Sequence, residues 1–377
     1  MDENTLRSLL ADALTEEPPI GPVARNALRT GIRIRRRRTT GTVGGVAVVA
    51  AILGLVPVIG DLPHSGPPAA SKPAHAIGGH GDRPIELAFS PNGKVLATAD
   101  SDGSARLWNV ATQRQIGAPI KLAFEVHINA VAFSPDGKVL ATAVADGTVR
   151  LWSVATRRQI RSAIHVGTDG AGPAVLTVAF SPDGRTLATG ASDGTVGLWD
   201  VDPHNGIGKT WIAGGGAVLA VAFSPNGKLL LTTGENSSAQ LWSVASQRPV
   251  GKPIGRSGGY GVISAVFSPN GKLLGTVGPD QVRVWSVATQ KRVGKDMNPG
   301  VDTASGVAFT PDGAVIVSAD RDGTIRQWSL ATRHQIGPVI APKGRHLFGV
   351  EAISPDGKLL ATTELNGPAH LWVLSEG

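Results

Sequence analysis

One seven-residue motif recurs seven times along this chain, and that recurrence limits the possible folds more than any other feature. It reads AFSPNGK from Ala88, AFSPDGK from Ala132, AFSPDGR from Ala179, AFSPNGK from Ala222 and VFSPNGK from Val266. AFTPDGA from Ala308 and AISPDGK from Ala352 complete the set. A tryptophan follows each copy: Trp108, Trp152, Trp199, Trp242, Trp285, Trp328 and Trp372. Counted from Phe89, Phe133, Phe180, Phe223, Phe267, Phe309 and Ile353, the gap is 19 residues in six repeats and 18 in the fifth. Successive tryptophans of this set lie 43 to 47 residues apart.

Each repeat reads as three strands and two tight turns. In AVAFSPDGKVLATAVADGTVRLWSV, from Ala130, AVAFS is a first strand and KVLATA a second. Ser-Pro-Asp-Gly between them puts proline at the second position of a type I turn and glycine at the left-handed position that follows. ADGT then leads into TVRLWSV, where Val149, Leu151 and Ser153 face one side and Arg150 and Trp152 the other. GAPI from Gly117, GKPI from Gly251 and GPVI from Gly337 supply a fourth, outer strand. A four-stranded unit of this size has two apolar faces that it cannot cover alone, whereas radial stacking on like units covers both.

The pattern resembles the WD-repeat β-propeller family, over about 300 of the 377 residues. The resemblance implies an all-β fold: a seven-bladed WD-repeat β-propeller. The family's tight-turn aspartate is matched by Asp102, Asp146, Asp193 and Asp322; Asn236 and Asn366 replace it in repeats four and seven, and repeat five is shortened around Asp280. The literal Trp-Asp pair survives only at Trp199-Asp200, and the family's Gly-His pair only at Gly79-His80, so its His-to-Asp network is expected to form fully in repeat one alone. The last repeat stops just after its Trp372 strand and lacks an outer strand. Residues 73–77 are expected to pair with residues 371–374 and close the ring.

The residues before the repeats divide into three. Residues 1–38 are a short helical segment: a helix over 4–17 with Leu6, Leu9, Leu10, Ala13 and Leu14 on one face, ended by Pro18 and Pro19, and a second, more basic helical stretch from Pro22 towards Arg38. Residues 39–60 carry no charge, and their apolar core is long enough, at about 30 Å as a helix, to cross a bilayer as one transmembrane helix. Arg29, Arg33 and Arg35 to Arg38 precede that span, which places the N-terminus in the cytosol and the propeller outside it, in a single-pass protein of the cell membrane. Ala74-His75-Ala76 fits a signal-cleavage site but lies well beyond the apolar run. Gly41 and Gly45 form a GxxxG pair. Residues 61–72 are a Pro-rich stalk, and residues 73–377 the propeller. The alanine-, glycine- and arginine-rich composition fits a bacterial source.

Several chemistries find no support. The formal charge is +7, with eight Arg against five acids in the first 40 residues; the remainder spread over the propeller is too dilute for a nucleic-acid partner. With no cysteine there are no disulfides, zinc-thiolates or cysteine nucleophiles. None of the nine histidines has metal-ligand spacing, the Asp-Gly pairs lack the alternating carboxylates of a calcium loop, and no glycine-rich loop suits a phosphate. No metal and no cofactor is implied. Arg106, Arg150, Arg283 and Arg326 share one third-strand position, read as arginines whose stems pack on the neighbouring blade rather than as an anion-binding ring.

What remains is a binding module, not an enzyme. Propellers bind through the loops of one face and the mouth of the central channel. The non-repeating loop residues His127, His165, Asp169, Trp211, Tyr260, Arg321, Arg345 and His346 are the candidates for contact with a protein partner; Trp211 is the one tryptophan of eight outside the pattern. The expected function is a membrane-tethered scaffold for protein–protein interaction or ligand sensing. The alternatives are a propeller hydrolase or lyase acting on cell-surface polymers, and a regulator that binds a cytosolic factor through residues 1–38.

Overall fold

Alternating side chains within six-residue strands give every repeat two apolar faces, and both are buried. The third strand of repeat two, Thr148–Ser153, shows how. Trp152 joins the apolar cluster shared with the preceding repeat, while Val149 and Leu151 join the one shared with the following repeat. The computed structural model describes residues 75–77, 84–122, 126–167, 172–202, 208–235, 238–255, 262–278, 281–297, 304–320, 323–340, 347–364 and 367–374. The helical segment, apolar span and stalk expected over residues 1–72 lie outside the described residues, as does His80. No helix among the described residues is long and apolar enough to cross a membrane.

Seven antiparallel sheets result, one per repeat. Blades one to six occupy residues 84–121, 128–165, 175–212, 218–254, 264–286 and 304–336, in meander order. The first strands of successive blades approach one another all the way round, and that of blade seven, Leu347–Ile353, returns to that of blade one, Pro84–Phe89. First strands are therefore innermost. A register shift near the start of each first strand, as between Ile128 and Ala130, marks a β-bulge repeated in blades one to four and in six and seven.

The closing strand is His75–Ile77, the fourth strand of blade seven. It pairs antiparallel with Ala369–Val373 through His75–Leu371, Ala76–His370 and Ile77–Ala369. Closure is as expected, with the register two residues nearer the start of the partner strand. Outer strands are otherwise the least regular. In blade one only Ile120–Lys121 pairs as a strand, and in blade six only Gln335–Ile336. Gly117 (φ 67°) and Gly337 (φ 62°) turn the chain out of extended geometry at the start of GAPI and GPVI. In blade five two backbone bonds between Val282 and Met297, 2.9 and 3.0 Å, replace an outer strand.

The core is divided among the blades. Seven apolar clusters each span two neighbouring sheets, and each takes the repeat tryptophan of the later blade. The seventh joins Ile77, Ala361, Ala369 and Leu371 of blade seven to Leu87, Leu96 and Trp108 of blade one. Removing any blade would expose two half-clusters, so the ring is stable only when closed.

Candidate functional site

The ring has two unlike faces, because the strand order sends the first and third connections of each blade to one side. The second connection and the link to the next blade go to the other, here called the loop face.

On the loop face the tight-turn aspartates cap their own turns. Asp102, Asp146 and Asp193 accept the backbone N–H two residues ahead at 3.0, 3.0 and 2.8 Å. The third-strand arginines join them: Arg106 reaches Asp102 at 2.8 Å and Asp100 at 2.6 Å, and Arg150 reaches Asp146 at 2.8 Å. Arg326 pairs with Asp320, and Arg283 with Asp296 at 3.2 Å. The guanidinium groups at the shared position are therefore held in ion pairs, most of them within the tight-turn region of the same blade. With a carboxylate on each guanidinium, a free anion ring is not what these residues form. Burial pushes the Asp100 carboxyl up to about 6 despite its bond from Arg106. Asp102 is held below the usual range: its burial is outweighed by hydrogen bonds from Arg106 and Ser104. In blade seven the same position holds His370, whose Nε2 lies 2.9 Å from Glu364.

Two candidate residues flank one turn. The carbonyl of His127 accepts from Ala145 N at 2.9 Å, and His165 pairs with Thr148 across the outer strand. Both histidines are exposed, so they border the 145–148 turn of blade two from opposite sides. Trp211 has a different place. It lies on the outer strand Lys209–Ile212, opposite Val196, with its ring 5.7 Å from that of Trp242 and tilted by 53°. This tryptophan is half-buried against the apolar cluster between blades three and four, near the loop-face end of its strand. Beside it a depression of about 240 Å³, open to solvent, is lined by Gly214, Gly216, Thr233, Ser238 and Gln240. Asp169, Tyr260, Arg321, Arg345, His346 and the repeat aspartate Asp322 lie outside the described residues.

The opposite face is built from short turns of nearly uniform design. In blade two Ser134 Oγ donates to Asp136 Oδ1 at 2.6 Å, Val139 N donates back to Ser134 Oγ at 2.9 Å, and Gly137 N closes the turn on Ser134 O at 2.8 Å. The Ser134 hydroxyl and Lys138 N–H hold the Asp136 carboxyl below the usual range, and Ser181 and Arg185 do the same for Asp183. Each turn rests on the next: a Cβ on Gly137 would touch Pro91, one on Gly184 Pro135, and so on round to Gly93, which meets Pro355. In every blade one backbone bond ties this turn to the one after the third strand. Val110 N donates to Lys94 O at 3.0 Å, and the bond recurs from Val154 to Lys138 and so on to Leu374 and Lys358.

The turns after the third strands carry a second motif that sequence reading passed over: NVATQRQIG, SVATRRQIR, SVASQRPVG, SVATQKRVG and SLATRHQIG in blades one, two, four, five and six. The residue after Thr or Ser adopts a left-handed φ in all five, at Gln113, Arg157, Gln247, Gln290 and Arg333. Side chains from these positions reach the preceding blade. Gln290 Nε2 donates to Val250 O at 2.6 Å and its Oε1 accepts from Lys252 N at 3.0 Å, which leaves no room for a Cβ on Gly251 between them. The period of this motif was visible in the sequence; its blade-to-blade contact was not.

The family model described as WD domain, G-beta repeat matches residues 71–109, 119–153, 163–200, 209–243 and 300–329. The segments from 119, 163 and 209 begin at the outer strand of one blade and end in the third strand of the next, the same offset by which residues 75–77 complete blade seven. The unmatched repeats are the shortened fifth and the seventh, where Ile353 replaces Phe. No curated protein matches the chain. Among solved structures, a chain of the "Crystal Structure of Mitotic Checkpoint Complex" is similar with a TM-score of 0.70 at 20% identity, over 86% of this chain and 99% of that one. At that identity the likeness speaks for fold alone. The chain is a seven-bladed β-propeller, five of whose seven repeats match the WD40 model.

Proposed function

We propose that this protein is a non-catalytic scaffold, tethered to the membrane through residues 39–60, whose propeller holds a protein partner outside the cytosol. The observation that carries the reading is the closed ring of seven shared cores, which fixes the loop face before any partner arrives. A preorganised surface binds with little ordering cost, and the exposed pair His127 and His165 around the 145–148 turn is its best-placed described contact. Ion pairs inside blades one, two, five and six brace that face. WD40 propellers serve protein–protein interaction in general, which supports a protein partner over a small substrate.

The test is site-specific photo-crosslinking in intact cells. A crosslinker at His165 should capture one protein species, and His127→Ala should weaken that capture. Protease added to whole cells should digest the propeller and spare residues 1–38. Capture of nothing at His165 sinks the loop-face reading, and a protected propeller sinks its placement outside the cytosol.

A further inference from the structure

We propose that the turn face is a docking surface for anionic lipid headgroups and holds the ring flat against the membrane; this rests on the tether read from residues 39–60.

The first observation is charge. All six Ser-Pro turns end in an exposed cation, Lys94, Lys138, Arg185, Lys228, Lys272 and Lys358, and only the Thr310-Pro311 turn, ending in Ala314, lacks one. The five turns of the second motif, over residues 109–117, 153–161, 243–251, 286–294 and 329–337, contain eight Arg or Lys and no Asp or Glu. Four aspartates sit among the Ser-Pro and Thr-Pro turns, and each accepts from its own turn's hydroxyl, as Asp136 does from Ser134. The corresponding turn of blade three carries Asp200 and Asp202, and Arg292 is paired with Asp296 at 2.9 Å, yet cations still outnumber acids across this face. The loop face takes the tight-turn aspartates and the arginines already paired with them.

The second is shape. Turns of one length, locked ring-wise by proline-on-glycine contacts and radially by bonds such as Val110 to Lys94, put these cations round the whole circumference of a shallow surface. A duplex nucleic acid would meet such a ring along one stripe only, whereas a plane of headgroups meets all of it. Ile160, 48% exposed between Arg158 and Arg161, adds an apolar side chain of the kind that enters a headgroup layer.

The third is where the chain enters the ring. His75 lies opposite Leu371 and Ile77 opposite Ala369, so the closing strand starts at the turn-face end and runs toward the loop face. With the tether proposed for residues 39–60, residues 61–72 lead into the turn-face end of the closing strand. Fully extended, those residues cover at most about 40 Å. Partner-binding loops then point away from the membrane.

The absence of native cysteine makes the experiment direct. Full-length chain with Ala111→Cys, on the turn face, or Ser192→Cys, on the loop face, is spin-labelled. It is reconstituted in nanodiscs of equal phosphatidylglycerol and phosphatidylcholine, or of phosphatidylcholine alone, with a nickel-chelating lipid as headgroup relaxant. Relaxation at position 111 should exceed that at 192 severalfold in the anionic discs. The excess should collapse in phosphatidylcholine and in Arg158→Glu/Arg248→Glu/Arg292→Glu, with melting temperature unchanged. Equal relaxation at the two positions, or an excess indifferent to lipid charge, overturns the proposal. Should the chain leave the discs in an alkaline carbonate wash, the tether reading fails by itself. Flotation of the same chain with phosphatidylglycerol vesicles then decides the docking. Each cation near an anionic surface is worth about a fivefold in partition, so the triple reversal must release it. Failure to float, or capture by duplex DNA in preference to vesicles at equal phosphate, refutes it.

Discussion

Every repeat tryptophan donates its indole N–H to a hydroxyl on the second strand of its own blade, from 2.8 Å at Trp285–Thr276 and Trp372–Thr362 to 3.2 Å at Trp108–Thr98. The acceptor is threonine in six blades and Ser318 in the sixth, ten residues before the tryptophan except in the shortened repeat. That hydroxyl was as regular in the sequence as the tryptophan, but nothing in the spacing of one strand says that its side chain meets another. Thr142→Val keeps the volume and leaves the buried Trp152 N–H without its 3.0 Å partner. It should cost about 1–3 kcal/mol in urea unfolding; a value within error of zero removes these bonds from the account of stability. The tight-turn aspartates gave a different outcome, since sequence placed them at turns and only the fold showed Arg106 and Arg150 across them. Asp100 makes a testable consequence. Its carboxyl is raised from 3.8 to about 6 by burial, so the folded state holds the proton more tightly than the unfolded one. The stability this contributes is complete below pH about 4 and disappears as pH rises through about 6. Melting curves of Asp100→Asn across that interval should lack the decline contributed by this group, and parallel curves for the two proteins would dismiss it.

Among the elements, the closing strand carries the largest consequence for its size. Three residues, His75–Ile77, supply the fourth strand of blade seven, and Ile77 is 1% exposed within the cluster that joins blades seven and one. An unpaired carboxylate there has no compensating partner, so Ile77→Asp should cost about 4 kcal/mol or more and lower the melting temperature of the whole ring in one transition. Ile212→Asp makes the same chemical change at a side chain 61% exposed on the outer strand of blade three. It should stay within about 0.5 kcal/mol of the parent. If the two variants melt together, closure does not hold the ring. Residues 73–77 were legible as a strand ahead of Phe89 at the offset where GAPI and GPVI precede their own partners. Its register was not, because pairing with Ala369–Leu371 depends on how far the closing strand reaches along blade seven. Outer strands were the least legible elements: Gly117 and Gly337 interrupt them at φ values that a sequence motif does not announce.

At the scale of the molecule, charge is where sequence and fold part company. Averaged along the chain, the surplus is small and argues against any polyanionic surface; sorted by strand order, it becomes a cationic turn face and an ion-paired loop face. Trp211, singled out in the sequence as the one tryptophan outside the repeat pattern, packs part-buried against Trp242 of the next blade, a contact no repeat announces. By itself the sequence determined seven blades, their strands, their turns and the need to close them, because those follow from local periodicity, turn chemistry and the area a single sheet cannot bury. Only the tertiary structure decided which face collects the cations, which side chains cross between blades and from which side the chain enters the ring. Those depend on contacts between residues tens to hundreds of positions apart, and no pattern within one repeat specifies them.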